Sequence, residues 1–257
     1  MSSKAVSRAS YLSAIYLFFY IPIIVLIVYS FNDTQYSLVW QGFTWHWYND
    51  LFHDSDLWIA ALHSLILGVT AATLATAIGT LTAVSLYRYH FAGRKALYGL
   101  IFILILSPEI VTGASLLIMY TLLHMPLGFI TLLLSHTSFC VPFVIVTVYG
   151  RLVSFDNNIF EAAKDLGASD AAIFRRIMIP MLWPALAAGW LMSFTLSLDD
   201  VIISYFVAGP EYDILPLRIY SMVRSGVKPE INALCSVLFC VTMTLVVLSQ
   251  LALKKKN

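Results

Sequence analysis

Three carboxylates stand where a carboxylate is costly. Glu109, and the adjacent pair Asp199 and Asp200, fall inside segments otherwise apolar enough to cross a bilayer. An ionisable group at that depth faces protein or a water-filled cavity and is a functional hypothesis by default. Glu109 lies about 13 residues, or ~20 Å of helix, from either end of its segment, near mid-membrane. Asp199 and Asp200 lie ~24–26 Å along theirs, counted from Trp183, in its outer half. Neighbours on a helix point about 100° apart, so one acid can face a cavity while the other faces a partner helix or caps a turn. If the membrane ended near Ser197, both would be solvated instead. A second constellation is polar. Residues 156–180 carry Glu161, Lys164, Asp165, Arg175 and Arg176 between two apolar segments.

The elements that hold these residues follow from composition. The chain has 257 residues, of which 60 % are hydrophobic and 11 % charged, against about 45–50 % and about 25 % in soluble domains. Mean hydropathy is +0.84. An all-α integral membrane protein of one domain, residues 1–257, is expected. The net charge of +1 carries no nucleic-acid signature. Six segments, 11–30, 57–86, 96–122, 127–150, 183–208 and 231–253, reach the ~20 residues that cross ~30 Å of hydrocarbon. No long stretch alternates with period two, which speaks against a membrane β-barrel. With six spans, all basic residues but Arg218, Arg224 and Lys228 fall on one side: Lys4, Arg8, Arg88, Arg94, Lys95, Arg151, Lys164, Arg175, Arg176 and Lys254–Lys256. The positive-inside rule then places both termini and the loop 151–182 in the cytoplasm. Ala168 would face inward, Ser37 and Asp213 outward. The first span is too long for a signal-peptide core and lacks an Ala-x-Ala site, so it reads as retained. Cys140, Cys235 and Cys240 lie inside spans without metal spacing and read as packing residues.

The polar stretch reads as two short helices. Asp156 is the N-cap of the first and Gly167 its stop; Ser169 is the N-cap of the second and Pro180 its stop. Each carries an apolar stripe, Ile159, Phe160, Ala163 and Leu166, then Ile173, Phe174 and Ile177, which outside lipid needs a partner to cover it. Pro108 is expected to kink the third span, and Pro142 interrupts the fourth in a similar way. Ala71, Ala75, Gly79 and Ala83 form a small-residue ladder for close helix contact, as do Ala185, Gly189 and Ser193. His63 and His136 read as hydrogen-bonded packing residues. Trp40, Phe43, Trp45, Trp47, Tyr48 and Phe52 form an interfacial aromatic belt, or else an outer docking surface.

Glu161, Ala162, Ala163, Gly167, Ile177 and Pro180 stand at the spacing E-A-A-x3-G-x9-I-x-L-P, with Ile179 at the leucine position. This resembles the EAA signature of the permease subunits of ABC importers. The likeness extends over nearly the whole chain, through Ser193-Phe-Thr-Leu-Ser-Leu-Asp-Asp200 and residues 214–222, and within that family it is similar to permeases of polyamine importers. The resemblance implies a type I importer permease fold. It implies a second, homologous permease, two copies of an ATPase that uses ATP and magnesium, and a binding protein delivering spermidine or putrescine. The loop would dock on the ATPase through Glu161, Ala162, Ala163, Gly167, Ile177 and Pro180. No G-x-x-x-x-G-K-[ST] occurs here, so this chain would bind no ATP itself, and neither cofactor nor metal is expected in it. A polyamine is an extended cation, so its path would offer spaced carboxylates and aromatic faces: Glu109, Asp199 and Asp200, with Trp190, Phe194 and Tyr205.

Other readings remain open: an importer permease for another small cationic solute, a proton-coupled secondary transporter using the buried acids, or an intramembrane aspartyl protease. The protease needs two carboxylates converging from separate elements to share a proton, which adjacent Asp199 and Asp200 do not supply, although Glu109 could approach one of them.

Overall fold

The computed structural model describes residues 3–34, 39–156, 158–226 and 228–254, and side chains from 11 to 244 within them. Ser37, Lys255, Lys256 and the side chains of Lys4, Arg8 and Lys254 lie outside the described residues. Those residues are almost wholly helical, with no strand beyond the isolated bridge Asn32–Phe43. The chain divides into two compact units, residues 1–58 with 218–257, and residues 59–217.

In the first unit, α1 (Ser3–Tyr29) and α2 (His46–His53) pack against α12 (Pro229–Lys254). The connection from α1 to α2 is held by side chains. Ser30 Oγ lies 2.7 Å from the Tyr48 hydroxyl, the Trp47 indole donates to the Asn32 carbonyl at 2.9 Å, and the Asn32 amide donates to the Val39 carbonyl at 2.7 Å. Phe31 gathers Phe43, Trp45 and Tyr48 around it, with ring centroids 4.9–5.2 Å away. The expected aromatic belt is therefore partly a cluster of its own. Tyr11–Tyr29 is long and apolar enough to span a membrane. The described apolar part of α12, Pro229–Thr244, is shorter.

α3 (Ser55–Arg88) runs unbroken for 34 residues and leads into the second unit. There follow α4 (Arg94–Leu106), α5 (Glu109–Leu122) and α6 (Phe129–Val153); α7 (Asn158–Asp165) and α8 (Asp170–Ile173); a π-turn over Phe174–Met178; then α9 (Ile179–Asp199) and α10 (Ile202–Val207). α11 (Leu215–Arg224) leads out of it. α6 is central and packs on α9, α4 and α10. Hydrocarbon is as apolar as leucine, so helices in lipid associate through close packing rather than burial from water. Both small-residue ladders serve that end on one residue, the fully buried Val144 of α6. A Cβ on Gly79 would stand 2.7 Å from Val144 Cβ, and one on Gly189 3.5 Å from its Cγ1. α5 packs on α10 in the same way, with Gly113 beneath Phe206 and Ile203.

Four expectations change. The third span is not one kinked helix: α4 and α5 meet at 111° across extended Ser107 and Pro108. Proline lacks the amide and pushes its predecessor out of the helical region, so the helix ends and a new one begins at Glu109. Glu109 is thus a helix-start residue rather than a mid-helix one. Pro142, by contrast, interrupts nothing, since α6 continues through it with Pro142 buried in the helix contacts. Pro180 does not stop the second short helix. The helix continues from Asp170 to Asp199, because the π-turn just before Pro180 re-spaces the carbonyl that its ring would strike. The fifth span then ends early, at Asp199, and resumes as α10. Four helices are long and apolar enough to span, or five if the bent pair counts as one, among the described residues.

Candidate functional site

The polar hairpin is built by its caps. Asp156 accepts from the Asn158 amide at 3.0 Å at the start of α7. At its end the Ala168 amide bonds the Ala163 carbonyl (3.0 Å) and the Gly167 amide bonds the Lys164 carbonyl (2.8 Å). This is a Schellman pair, with Gly167 at φ +80° in the left-handed position that favours glycine. Ser169 then caps α8, accepting from the Ala172 amide at 3.3 Å. The hairpin is tied to α3 by Arg88, whose Nη2 donates to Asp170 Oδ1 at 2.7 Å, while Lys164 Nζ lies 3.8 Å from the same oxygen. The hydrogen bond from Arg88, then its charge and that of Lys164, hold the Asp170 carboxyl below its usual range.

The apolar stripes are mostly covered by the chain itself, which corrects the expectation that a partner must cover them. Phe160, Ala163, Ile173 and Met178 are buried in one cluster with Val144, Val148, Leu152 and Leu182. A short amphipathic helix folded back on the bundle ends buries its stripe intramolecularly. What remains open is a narrower patch: Leu166 is 89 % exposed and Ile159 39 %. Glu161, Ala162 and Gly167 of the same hairpin are exposed, and so is Pro180 at the start of α9, while Ile177 is half-buried and Ala163 buried. The signature residues thus divide between exposed and buried positions.

The second constellation sits where α9 breaks. Asp199 is exposed and Asp200 is only 7 % exposed. Asp200 caps α10: its carboxylate accepts from the Ile203 amide (3.2 Å), the Ser204 amide (2.8 Å) and the Ser204 hydroxyl (2.7 Å). Fully buried His136 of α6 bridges to the same residues, with Nδ1 2.7 Å from Ser197 Oγ and Nε2 2.9 Å from Ser204 Oγ. The Ser204 proton goes to Asp200, so Nε2 donates to Ser204, and the same Nε2 lies 3.5 Å from Asp200 Oδ2. Asp200 and His136 therefore pin α6, α9 and α10 together. Sequence reasoning took His136 as a hydrogen-bonded packing residue, but its partners Ser197 and Ser204 are remote in sequence and carry no local signal. His63 likewise finds a partner, the Asp213 carbonyl at 2.9 Å, and stacks on Tyr212.

Of the proposed path residues, Trp190 and Phe194 come together, stacked at 5.3 Å, with the Trp190 indole donating to Thr73 Oγ1 at 3.1 Å. Trp190 and Thr73 edge a groove of about 380 Å³ that also meets Thr76, Thr80, Leu186 and Phe174. Glu109 and Tyr205 are exposed, on α5 and on its neighbour α10. Among the described residues neither Glu109 nor Asp199 forms an ion pair. No group of three metal-ligating side chains occurs among the described residues.

The fold is that of type I ABC importer permeases. The chain superposes with TM-score 0.73, at 16 % identity and 98 % coverage of both chains, on a chain of a bacterial ABC transporter importing the acidic polysaccharide alginate. It superposes with TM-score 0.62, at 17 % identity, on a chain of the MetNI methionine ABC transporter, covering 76 % of this chain and 94 % of that one. Residues 75–255 match the family described as binding-protein-dependent transport system inner membrane component. The chain belongs to that family. It is a multi-pass membrane subunit of an ABC transporter and not an enzyme, ATP hydrolysis being the work of a partner subunit. It is 53 % identical over 250 residues to the spermidine/putrescine transport system permease protein PotC of Escherichia coli (strain K12), which covers 97 % of this chain and 95 % of that protein. It is 49 % identical over 255 residues to the protein of the same name from Haemophilus influenzae, covering 99 % of each. It is 40 % identical over 228 residues to the putrescine transport system permease protein PotI of Escherichia coli (strain K12), covering 86 % of this chain and 81 % of that protein.

Proposed function

We propose that this chain is the permease subunit of an ATP-driven, binding-protein-dependent importer of spermidine and putrescine in a bacterial inner membrane. The observation that carries this reading is 53 % identity with a spermidine/putrescine permease across 97 % of the chain. A second, PotB-like permease, two PotA-like ATPase subunits that use ATP and magnesium, and a PotD-like binding protein complete the assembly. The whole chain acts as one permease domain with six spans, its termini and the coupling loop 151–182 in the cytoplasm. The ATPase docks on the outer face formed by Glu161, Ala162, Leu166 and Gly167. Ala163, Ile177 and Pro180 carry its movement into α9.

Glu109 and Asp199 are the acids that meet the cation, with Trp190, Phe194 and Tyr205 as aromatic faces. Asp200, with both oxygens occupied by α10, shapes the path rather than contacting the cargo. The open carboxylates with no ion-pair partner support this division. Uptake of labelled spermidine and putrescine, in cells making the partner subunits with and without this chain, tests the function. Uptake that needs the chain and stops on ATP depletion is the expected result. Uptake that persists without ATP but fails when the proton gradient collapses would favour a secondary transporter. Transport of a different cation alone would move the substrate assignment and leave the permease role.

A further inference from the structure

Between α3 and α4 the chain turns through residues 89–93 and opens a cavity of about 500 Å³ lined by His90, Phe91, Gly93, Arg94, Lys95 and Tyr98. Its polar side chains are basic or phenolic, and no carboxylate lines it. Among the described residues neither Arg94 nor Lys95 makes an ion pair, whereas Arg88, at the end of α3, is committed to Asp170. Arg94 is half-buried, with its guanidinium 5.7 Å above the Tyr98 ring and within reach of the Tyr98 and Tyr149 hydroxyls. Its Nε is shielded from solvent and has no hydrogen-bond partner. A buried donor on a cation without an acceptor is costly, and an anion would supply one.

We propose that this cavity binds the headgroup phosphate of an anionic glycerophospholipid. Two observations select a lipid over a free phosphate. The walls are largely the apolar faces of Phe91 and Tyr98, which a small hydrated anion would gain nothing by touching. The cavity also opens beside a helix whose next turns leave Leu100, Phe102 and Ile103 more than half exposed, a track for acyl chains. Charge balance selects the anionic class. Two unpaired cations and His90 face no acid, so a headgroup carrying its own ammonium would bring a like charge to the site. Basic pockets at the cytoplasmic ends of membrane helices bind such headgroups. The site rests on the proposed orientation, which puts residues 89–95 at the cytoplasmic leaflet.

The test uses the complete transporter, purified with its partner subunits and placed in nanodiscs of mixed phosphatidylglycerol and phosphatidylcholine. Lipid retained after transfer to detergent is counted by native mass spectrometry. The wild-type complex should retain phosphatidylglycerol and not phosphatidylcholine, and millimolar inorganic phosphate should not displace it. Arg94→Gln with Lys95→Gln should weaken retention by about thirty-fold, from about five-fold for each basic side chain at an anionic surface. Lys95→Gln alone, which keeps the Arg94–Tyr98 contact and so guards against misfolding, should give about five-fold. Equal retention in wild type and variants, or of both lipids, overturns the proposal. Displacement by inorganic phosphate overturns the lipid assignment in favour of a free anion. Lipid retention is read without any transported substrate, so its outcome is separate from that of the uptake experiment.

Discussion

Replacing Gly167 separates backbone geometry from side-chain contact at the turn proposed to face the ATPase. At φ +80° a residue with a Cβ is strained, and the left-handed conformation costs an ordinary residue about 1–2 kcal/mol. A Cβ built there meets nothing within 4 Å, so no steric term adds to that figure. Gly167→Ala should therefore lower the population of the closed Schellman turn, relative to its frayed alternatives, by a factor of about 5–30. Leu166, exposed one residue earlier, would lose its fixed presentation. Asparagine tolerates the same backbone region, so Gly167→Asn should lie between alanine and wild type. Spermidine-stimulated ATP hydrolysis and uptake, measured in proteoliposomes at matched amounts of assembled complex, would read this order. Alanine indistinguishable from glycine would remove the turn from the coupling path. Asparagine worse than alanine would show that the partner reads side-chain size at this position, and the backbone reasoning would be wrong.

Asp199→Asn should lower uptake at normal membrane abundance, whereas Asp200→Asn should lower abundance, because with its oxygen kept on Ser204 it sets an amide donor against the Ile203 amide, a mismatch of about 1–3 kcal/mol; the reverse pattern refutes the division of the two acids. Gly209→Ala would drive a Cβ into the Leu127 carbonyl, so immunoblotting should find little of the variant in membranes, and normal amounts would contradict the packing of that loop. A cysteine at Ala168, in a chain lacking Cys140, Cys235 and Cys240, should react with an impermeant maleimide only when the cytoplasmic face is opened, and one at Asp213 from outside; the opposite reactivity overturns the orientation. Asp170 has a depressed pKa, so its tie to Arg88 is fully present above the usual carboxylate value of 3.8 and is lost as pH falls through the lowered one; the contribution of this pair to coupling should therefore not change with pH between about pH 5 and 8. Over that window Arg88→Glu or Asp170→Lys should each reduce coupled hydrolysis and the double swap restore it, and a swap no better than its parts would show that the pair carries no load.

What sequence revealed and what it hid divide by range. Caps and ladders obey local rules. Asp156, Gly167 and Ser169 announce the turns of the hairpin, and Ala71, Ala75, Gly79 and Ala83 announce a close contact by their spacing alone. Prolines were less legible, because their effect depends on neighbours. Pro108 ends a helix, Pro142 leaves one intact, and Pro180 is absorbed by a π-turn that no propensity marks. The fate of the apolar stripe was also hidden. Phe160 and Ile173 could have met a partner as easily as their own chain, and only the packing of α6 and α9 decides. Arg88 and Asp170 are 82 residues apart, so no local pattern in the sequence pairs them.

The break between α9 and α10 bears on how the path is organised. Backbone that leaves the helix within a membrane must have its amides and carbonyls satisfied by something other than water. α10 is six residues long and is served at both ends. Asp200 takes the amides of Ile203 and Ser204, and buried Thr131 donates to the Val207 carbonyl at 2.9 Å. Both supports come from side chains that are themselves buried, and α6 supplies Thr131 and His136. The break is therefore a fixed part of the core rather than a strained or frayed end. The Ser107–Pro108 break is held more lightly, by Thr112 reaching Ser107 Oγ at 3.2 Å and the Pro108 carbonyl at 3.3 Å. A carboxylate already accepting from three donors has little capacity left for a passing ammonium, while its exposed neighbour and Glu109 have all of theirs. Adjacent acids with the same side chain thus stand differently toward the proposed path, because Asp200 is spent on holding α10 and Asp199 is open to solvent.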